Sequence, residues 1–341
     1  MCFSAIVEQD IARLKRDFRA KPDLAAFKKL FERRAQGAAI LIPKAMEQNF
    51  LRPGTDETAE IGELIRAYSA IRGSWLEGEV AEQRGRKVAA ESMLAELAKG
   101  PVQTGLFGES DLQREKRAGQ AAGLEEERRV ASNWIRTRER QLDALRRRVI
   151  ERSDSRVFQH WYASVVLVDN GERVIRPMRY LLRRAGHPSS DDKKYSRCYN
   201  ARRDNLDRFW KHQFGHTHGI MVVTSFFENV SRHKMERREL AEGEAEENVV
   251  LQFDPQPAVR MHVACLYSDW IGEGEPDLLS MAAVTDEPPP EIAAVGHDRC
   301  IVPVSDANLD AWLNPEGRSS LELHAILDAR ERPYYEHRIA A

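Results

Sequence analysis

A long stretch in the first half of the chain carries apolar residues at helical spacing, and this spacing constrains the fold most. Five of them step by three, four, three and four along one side of a helix: Ile61, Leu64, Tyr68, Ile71 and Trp75. The Gly- and Pro-containing segment 100–111 interrupts the pattern, and a second helical pattern follows it. We predict two long helices, about 56–99 and 111–153, packed as an antiparallel hairpin.

Two shorter amphipathic segments precede the hairpin. DIARLKRDF (10–18) and DLAAFKKLFERRAQ (23–36) are predicted helices, the second with Asp23 as its N-cap. Because 10–154 reads as helix nearly throughout, we assign it to a helical insertion.

The pattern changes after residue 154 to short, apolar, often β-branched segments. Examples are WYASVVLV (161–168) and HGIMVVTSFF (218–227), and DNG at 169–171 is typical of a hairpin turn. The fold class expected is α+β: a largely β domain of mixed, mostly antiparallel sheets. This domain comprises 1–9 and 155–341 and is interrupted by the helical hairpin.

The composition excludes several classes of protein. With 42% hydrophobic residues, 341 residues can form a sizeable core, so disordered and fibrous classes are excluded. We expect a cytoplasmic protein, because no apolar run is long enough for a membrane span and no signal-peptide core is present. The four cysteines are far apart, which argues against a disulfide framework. A net charge of −2 means that any nucleic-acid surface must be local.

Cys2 is the first residue with distinctive chemistry. Removal of the initiator methionine would leave a thiol and a free α-amine on one residue, with unperturbed pKa values of about 8.5 and about 7.7–8.0. Such an aminothiol can form an imine with an aldehyde and then close to a thiazolidine through sulfur. The alternative is an ordinary free cysteine near a chain end.

Three further motifs carry polar groups suited to chemistry. Asn200 precedes paired arginines in CYNARRDNLDRFW, Glu228 follows an apolar aromatic run, and His297 lies in GHDRCIVPV. An amide can position a polar reactant, a partly buried carboxyl can transfer a proton, and an imidazole can act as acid or base. Taken singly, each motif also fits a structural role: a solvated turn, a surface glutamate or a His–Asp contact.

In their order along the chain, these motifs resemble the SOS-response-associated peptidase (SRAP) family. The matching motifs are MC at the start, NAR near an acidic residue, FFE, and HDR before an apolar strand with proline. Further similar segments are ERVIRPMRYLL (172–182), VACLYSDW (263–270) and MAAVTDEP (281–288). The resemblance covers 1–7 and about 157–315 and leaves the helical insertion outside.

The resemblance implies covalent crosslinking of Cys2 to the ring-opened aldehyde of an abasic site in single-stranded DNA. Asn200 would hold the α-amine or the thiazolidine, and Glu228 would assist proton transfers. His297 would act as acid or base on the sugar hydroxyl. The family name also implies autoprocessing that exposes Cys2. No cofactor or metal is expected.

A basic segment supports a DNA partner. Residues 173–211 hold twelve lysines and arginines against four acids, a local excess of eight positive charges. The resemblance implies that Arg202 contacts the DNA backbone, with Arg179 as a further candidate. Arg203 and the interleaved Tyr180 are additional candidates for phosphate contact and base stacking. The alternative is that these arginines pair with acidic residues elsewhere, including the run 236–248.

The chain also departs from the family. Phe3 and Ser4 replace the usual Gly-Arg, which removes a cation near the nucleophile, and Tyr180-Leu181 replace Trp-Gly. The family's Tyr-Asn-x-Ala-Pro element is not recognisable. These departures bear on the grip and specificity for DNA more than on the reactive residues.

Other functions stay open. Cys2 could serve a thiol-dependent peptidase or amidohydrolase acting on a substrate other than DNA. The hairpin could instead recruit a protein partner or mediate self-association, in a binding module without catalysis. A cluster of histidines suggests a metal site only weakly, because its spacing matches no specific signature. These histidines are His212, His216, His218, His233 and His262.

Overall fold

The computed structural model describes residues 3–52, 54–100 and 110–340. The chain divides into two compact units: residues up to Leu64 together with those from Ile150 onward, and Ile65–Val149. The first unit is rich in strands and the second is helical, so the α+β class and the mixed sheet are confirmed.

The helices of the described residues share a simple order, with two long members between short ones. They are α1 (Ile11–Phe18), α2 (Leu24–Ala35), α3 (Lys44–Leu51), α4 (Asp56–Ala98), α5 (Asp111–Arg146), α6 (Asp191–Lys194), α7 (Arg232–Met235), α8 (Pro290–Ala293), α9 (Leu309–Leu313) and α10 (Ser320–Asp328). None of them is long and apolar enough to cross a membrane.

The strands of the described residues join into one mixed sheet. They are β1 (Ser4–Val7), β2 (Lys21–Pro22), β3 (Arg156–Phe158), β4 (Tyr162–Asp169), β5 (Glu172–Tyr180), β6 (Asn200–Arg202), β7 (His218–Ser231), β8 (Asn248–Gln256), β9 (Met261–Gly272), β10 (Glu275–Asp286), β11 (Cys300–Ile301), β12 (Pro303–Val304) and β13 (Tyr334–Ile339).

Five of the long strands close into a barrel. Going round, β7 pairs with β4, β4 with β5, β5 with β10, β10 with β9, and β9 pairs back with β7. The β5–β10 pair is parallel, whereas the other four are antiparallel. Closure removes exposed sheet edges and lets β7 extend beyond the barrel to pair with β1 and β8.

The first three helices belong to the strand-rich unit. Asp23 caps α2 as predicted, since its side chain accepts a hydrogen bond from the Ala26 N–H. The apolar face of α2 is buried through Phe27, Leu30 and Phe31. The helical unit is therefore smaller than the predicted insertion 10–154, because α1–α3 bury their apolar faces within the strand-rich unit.

The helical unit contains most of the hairpin, because the first residues of α4, Asp56–Leu64, belong to the strand-rich unit. Helices α4 and α5 are close to the predicted ranges 56–99 and 111–153. Its core consists of Leu76, Val80 and Leu142. Ser110 caps α5 in a capping box with Gln113. The helix ends at Arg146 rather than near 153.

Candidate functional site

Strand β1 brings the start of the chain to the end of β7. Ser4 pairs with Phe227 in antiparallel register, and the Phe3 N–H donates to the Phe227 carbonyl at 2.9 Å. The same N–H lies 3.1 Å from Glu228 Oε2, to which it also donates. The predicted nucleophile, Cys2, lies outside the described residues.

Phe3 and Ser4, which depart from the family pattern, contact β3 on the other side of β1. The Phe3 ring meets Phe158 edge-on, with centroids 5.7 Å apart. Arg156 donates from Nε to Ser4 Oγ at 2.9 Å, and its guanidinium lies 3.5 Å from the centre of the Phe227 ring. A cation therefore stands beside β1 although Ser4 replaces the arginine of the family.

Glu228 and His297, which are far apart in sequence, are in direct contact. Their carboxylate Oε2 and imidazole Nε2 atoms are 3.3 Å apart, and the Glu228 side chain is fully buried. Burial raises the pKa of Glu228 well above its usual value and lowers the pKa of His297 to about 4. Both shifts favour the uncharged forms.

The hydrogen bonds of His297 indicate where the proton of this pair resides. Nδ1 of His297 is 2.9 Å from the Arg299 carbonyl, which can only accept, so Nδ1 carries the hydrogen. Nε2 of the neutral ring is then an acceptor, and the protonated carboxyl of Glu228 donates to it. Glu228 and His297 therefore hold one transferable proton between them, next to the Phe3 N–H.

Asn200 lies on β6, which runs parallel to β10. Its Oδ1 accepts a hydrogen bond from the Tyr180 hydroxyl at 3.4 Å. Its Nδ2 is buried and has no hydrogen-bond partner among the described residues. Such a buried donor costs about 1–3 kcal/mol, so it points to a ligand or a chain atom outside the described residues.

Thr285 is a polar residue of this region that the sequence reasoning did not single out. It is fully buried, it pairs with Arg202 across the β10–β6 ladder, and its hydroxyl also lacks a partner in the described part. The only signal for it was that MAAVTDEP (281–288), which contains Thr285, is one of the segments similar to the family. Strand β10 also pairs with β11, directly after His297–Arg299, so it joins Asn200 to the region of His297.

The residues predicted to bind DNA occupy different environments. Arg202 is partly exposed and pairs with Asp204 and Glu287, at 3.2 and 3.3 Å. Arg179 is largely buried and pairs with Asp192 at 2.8 Å.

The side chains of Arg203 and Tyr180 are also largely buried. Arg203 bridges Asp286 and Asp328. Tyr180 is buried, and its ring meets that of Tyr199 at 5.5 Å. Tyr180 thus supports Asn200 from within, whereas Arg202 is the most exposed member of the predicted set.

Much of the basic segment is neutralised by acids, although not by the run 236–248 that the sequence suggested. Arg176 pairs with Asp23 and Asp169. Within the acidic run, Glu244 pairs with Arg238 instead. Structural ion pairs therefore neutralise part of the excess positive charge that the sequence predicts.

Three basic residues remain next to two aromatic rings; Lys194 and Arg197 are exposed, and Arg184 is partly buried. The Arg184 guanidinium lies 4.2 Å from the centre of the Phe209 ring and 5.0 Å from that of Tyr195. The Lys194 ammonium lies 5.2 Å from the Tyr195 ring, and Arg197 is exposed nearby in sequence. We call these five residues the cation–aromatic patch.

The histidines considered for a metal site do not gather into one. His218 is buried between the Gly215 N–H and the Trp312 carbonyl, each 2.9 Å from one ring nitrogen, and His262 pairs with Asp306 at 3.0 Å. Across the described residues, no group of three or more His, Cys, Asp or Glu side chains could hold a metal ion.

Comparisons with solved structures find similar chains of low identity. A protein from Bacteroides thetaiotaomicron is 12% identical, with a TM-score of 0.43, covering 55% of this chain and 77% of its own. A protein from Bordetella bronchiseptica is 14% identical, with a TM-score of 0.43 and coverages of 55% and 87%. A phage-related protein from the same organism is 13% identical, with a TM-score of 0.41 and coverages of 54% and 80%. No curated protein matches the chain.

A family model described as "SOS response associated peptidase (SRAP)" matches residues 121–339. The match covers well over half of the chain and includes Asn200, Glu228 and His297. The chain therefore belongs to the SOS-response-associated peptidase family, as a DNA-damage-associated SRAP-like protein.

Proposed function

We propose that this protein crosslinks covalently to abasic sites in single-stranded DNA through Cys2. Hydrolysis of the Met1–Cys2 peptide bond consumes one water and exposes the α-amine. The amine adds to the aldehyde carbon of the opened sugar, and loss of one water gives an imine. The Cys2 sulfur then adds to the imine carbon, its proton passes to the nitrogen, and a thiazolidine closes.

The buried Glu228–His297 pair is the observation that carries this proposal. Both imine formation and ring closure move protons to and from nitrogen and oxygen, and a carboxyl with a raised pKa can donate and recover a proton near neutrality. Because Cys2 directly precedes Phe3, chain connectivity gives its amine access to the carboxyl that accepts from the Phe3 N–H. Glu228 then transfers the proton and His297 holds or relays it.

Asn200 and Thr285 suit the binding of the same reacting groups. The unpartnered Nδ2 of Asn200 can donate to an oxygen of the sugar or to the nucleophilic residue, with Tyr180 fixing the amide orientation. In this proposal their unmet hydrogen bonds are completed when the substrate binds, which favours the bound state.

The cation–aromatic patch and Arg202 fit the single-stranded partner. Guanidinium and ammonium groups attract phosphates, while the Tyr195 and Phe209 rings offer stacking surfaces that tolerate any base. Arg202 carries two carboxylate partners, so phosphate binding there requires exchange of these partners. Arg179, Arg203 and Tyr180 act in this proposal by holding the strands that carry the site.

A thiol-dependent peptidase acting on another substrate is the second candidate. The same proton pair would serve amide hydrolysis at Cys2, as the autoprocessing step itself requires. Activity on peptides whose cleavage needs Cys2, without reaction on abasic DNA, would favour this alternative.

The test is a denaturing gel shift with a single-stranded oligonucleotide that carries one abasic site. We expect a heat-stable band that requires both Cys2 and the abasic site, with Cys2→Ala and an intact strand giving none. Glu228→Gln keeps the size of the side chain but cannot transfer the proton, and should slow crosslinking by at least about 100-fold. Cys198→Ala is the matched control, because burial raises the pKa of that thiol to about 11.

Mass spectrometry of the intact protein must accompany the gel. Absence of a band from protein whose first residue is proven to be Cys2 would contradict the proposal. A band that persists in Cys2→Ala would assign the reaction to another residue.

A further inference from the structure

One side of the helical hairpin exposes large apolar side chains. Trp75 on α4 and Trp134 on α5 are 44% and 43% exposed, and Met93 is 57% exposed. Both indoles contact the Arg138 guanidinium, at 5.1 and 4.5 Å from the ring centres, so they lie on the same side of the hairpin. Arg138 pairs with Glu79 across the hairpin, and each tryptophan lies four residues away from this level in its own helix, one towards each end of the hairpin, so the two indoles are about 12 Å apart along it. The core of the unit is small, and these aromatic residues are not part of it.

The same side carries a hollow further along the hairpin. It has a volume of about 850 Å³ and is lined mostly by apolar or small residues, among them Met93, Leu97, Gly100, Gly123 and Leu124, and also by the polar Glu96, Arg117 and Gln120. This volume lies in the range that accommodates a drug-sized molecule, so it can take an indole ring. Eighteen residues separate Trp75 from Met93 on α4, a distance of about 27 Å along the helix.

We propose that two copies of the chain associate face to face through this side of the hairpin. The Trp75 indole of each copy enters the hollow of the other, about a two-fold axis that passes α4 near residue 84, and the two Trp134 indoles meet close to that axis. We call this side the Trp face. A projection and a matching hollow on one surface are what a two-fold, self-complementary interface requires.

The charges along α4 agree with this arrangement. A two-fold axis near residue 84 places Arg72 opposite Glu96 of the second copy, and Glu82 opposite Arg86. Each pairing occurs twice by symmetry, and each joins opposite charges. The opposite side of the hairpin has a different character, since its groove is lined by charged residues such as Lys87, Glu91 and Glu125.

The area available is that of a stable dimer. Residues 71–100 extend about 45 Å, and two adjacent helices are about 20 Å wide, which gives a face of about 900 Å² per copy. Specific interfaces bury about 800 Å² per partner. Tryptophan and methionine are also enriched in the centres of such interfaces.

The test measures the mass of the full chain in solution by light scattering and sedimentation at micromolar concentration. We expect twice the chain mass of 39.0 kDa. Trp134→Glu should weaken dimerisation at least 100-fold. Glu91→Arg is the matched control and should leave the dimer intact, because Glu91 and Met93 point about 200° apart around α4.

A charge exchange tests the register. Glu82→Arg places arginine opposite Arg86, and Arg86→Glu places glutamate opposite Glu82, so each variant alone should dimerise at least 10-fold more weakly. When the two variants are mixed, every facing pair is again opposite in charge, and a heterodimer should form with restored affinity. All three positions changed on α4 are exposed, so folding, followed by circular dichroism, should be unaffected.

Three results would overturn the proposal. One is a monomeric chain at these concentrations. Another is a dimer that resists Trp134→Glu, which would place the contact elsewhere. The third is failure of the mixed variants to associate while each remains folded, which would exclude this register.

Discussion

At the scale of single residues, burial determines the protonation of the candidate site. Glu228 is fully enclosed and His297 nearly so, and their Oε2 and Nε2 atoms are within hydrogen-bond distance of each other. In an exposed pair of the same residues the carboxyl would be ionised at neutral pH. Here the neutral forms are favoured, which is the state an acid–base pair needs before a substrate arrives.

The low pKa of His297 predicts acid sensitivity. Its folded pKa of about 4 lies below the ordinary value of 6.5, so the unfolded chain binds more protons between these two values. The stabilisation is therefore complete above about pH 6.5 and is lost as the pH falls towards 4. Urea unfolding should show that His297 accounts for about 2 kcal/mol of the stability lost between pH 7 and pH 5.

His297→Gln and His216→Gln provide the comparison. The first variant lacks the buried titrating ring. Between pH 7 and pH 5, its free energy of unfolding should therefore fall by about 2 kcal/mol less than that of the unchanged chain. The second removes an exposed ring and should behave as the unchanged chain does. Equal losses in all three proteins would mean that His297 is not held neutral in the folded state.

At the scale of elements, the close packing of β4 against β7 holds the site strand in place. Strand β7 carries Glu228 at one end and closes the barrel near the other, where Gly219 faces Leu167. A Cβ atom on Gly219 would lie 2.8 Å from Val165 Cγ1 and 3.2 Å from the Val166 carbonyl oxygen. This glycine is required by the approach of the two strands.

Gly219→Ala and Gly73→Ala should therefore have opposite effects on stability. Overpacking at Gly219 should lower the free energy of unfolding by about 1–3 kcal/mol. Gly73 lies inside α4, where a Cβ would make an ordinary contact with Leu145 at 3.7 Å. Alanine there should raise helix stability by about 0.5–1 kcal/mol. Thermal and denaturant unfolding measure both, and a stabilising Gly219→Ala would contradict the packing argument.

At the scale of the whole molecule, every described residue of the candidate site belongs to the strand-rich unit. Asn200, Glu228 and His297 are held by β6, by β7 and by the segment before β11, and none depends on a residue of Ile65–Val149. The proposed crosslinking and the proposed self-association thus belong to different units of the chain.

This division predicts the effect of removing the hairpin. A chain in which a flexible Gly-Ser linker replaces residues 65–149 should retain the crosslinking rate within about threefold. It should no longer dimerise. The gel shift and the solution mass measure the two effects independently, and loss of crosslinking from a folded deletion variant would show that the hairpin contributes to the reaction.

The sequence predicts some of these features and not others, for physical reasons. The long helices follow from apolar spacing, which is a local property. The contact between Glu228 and His297 depends on the closure of the barrel, so only the family resemblance indicated that both residues belong to one site. The pairing of Arg176 with Asp23 is equally non-local. For that reason the local excess of positive charge in residues 173–211 overstated the basic surface that is free to bind DNA. The Trp face was not anticipated, since helical periodicity does not distinguish residues in the core of a hairpin from those beside it.

The pairing of β1 with β7 has a consequence for the order of events during synthesis. Phe3 and Glu228 are 225 positions apart, so the first strand leaves the ribosome long before its partner exists. At about 5–20 residues per second, the interval is about 10 to 45 s. The proton-transfer pair is assembled only after this delay, because His297 is translated later still. Under the proposed function, a nascent chain thus carries Cys2 without its acid–base pair, and crosslinking can begin only when the barrel is complete.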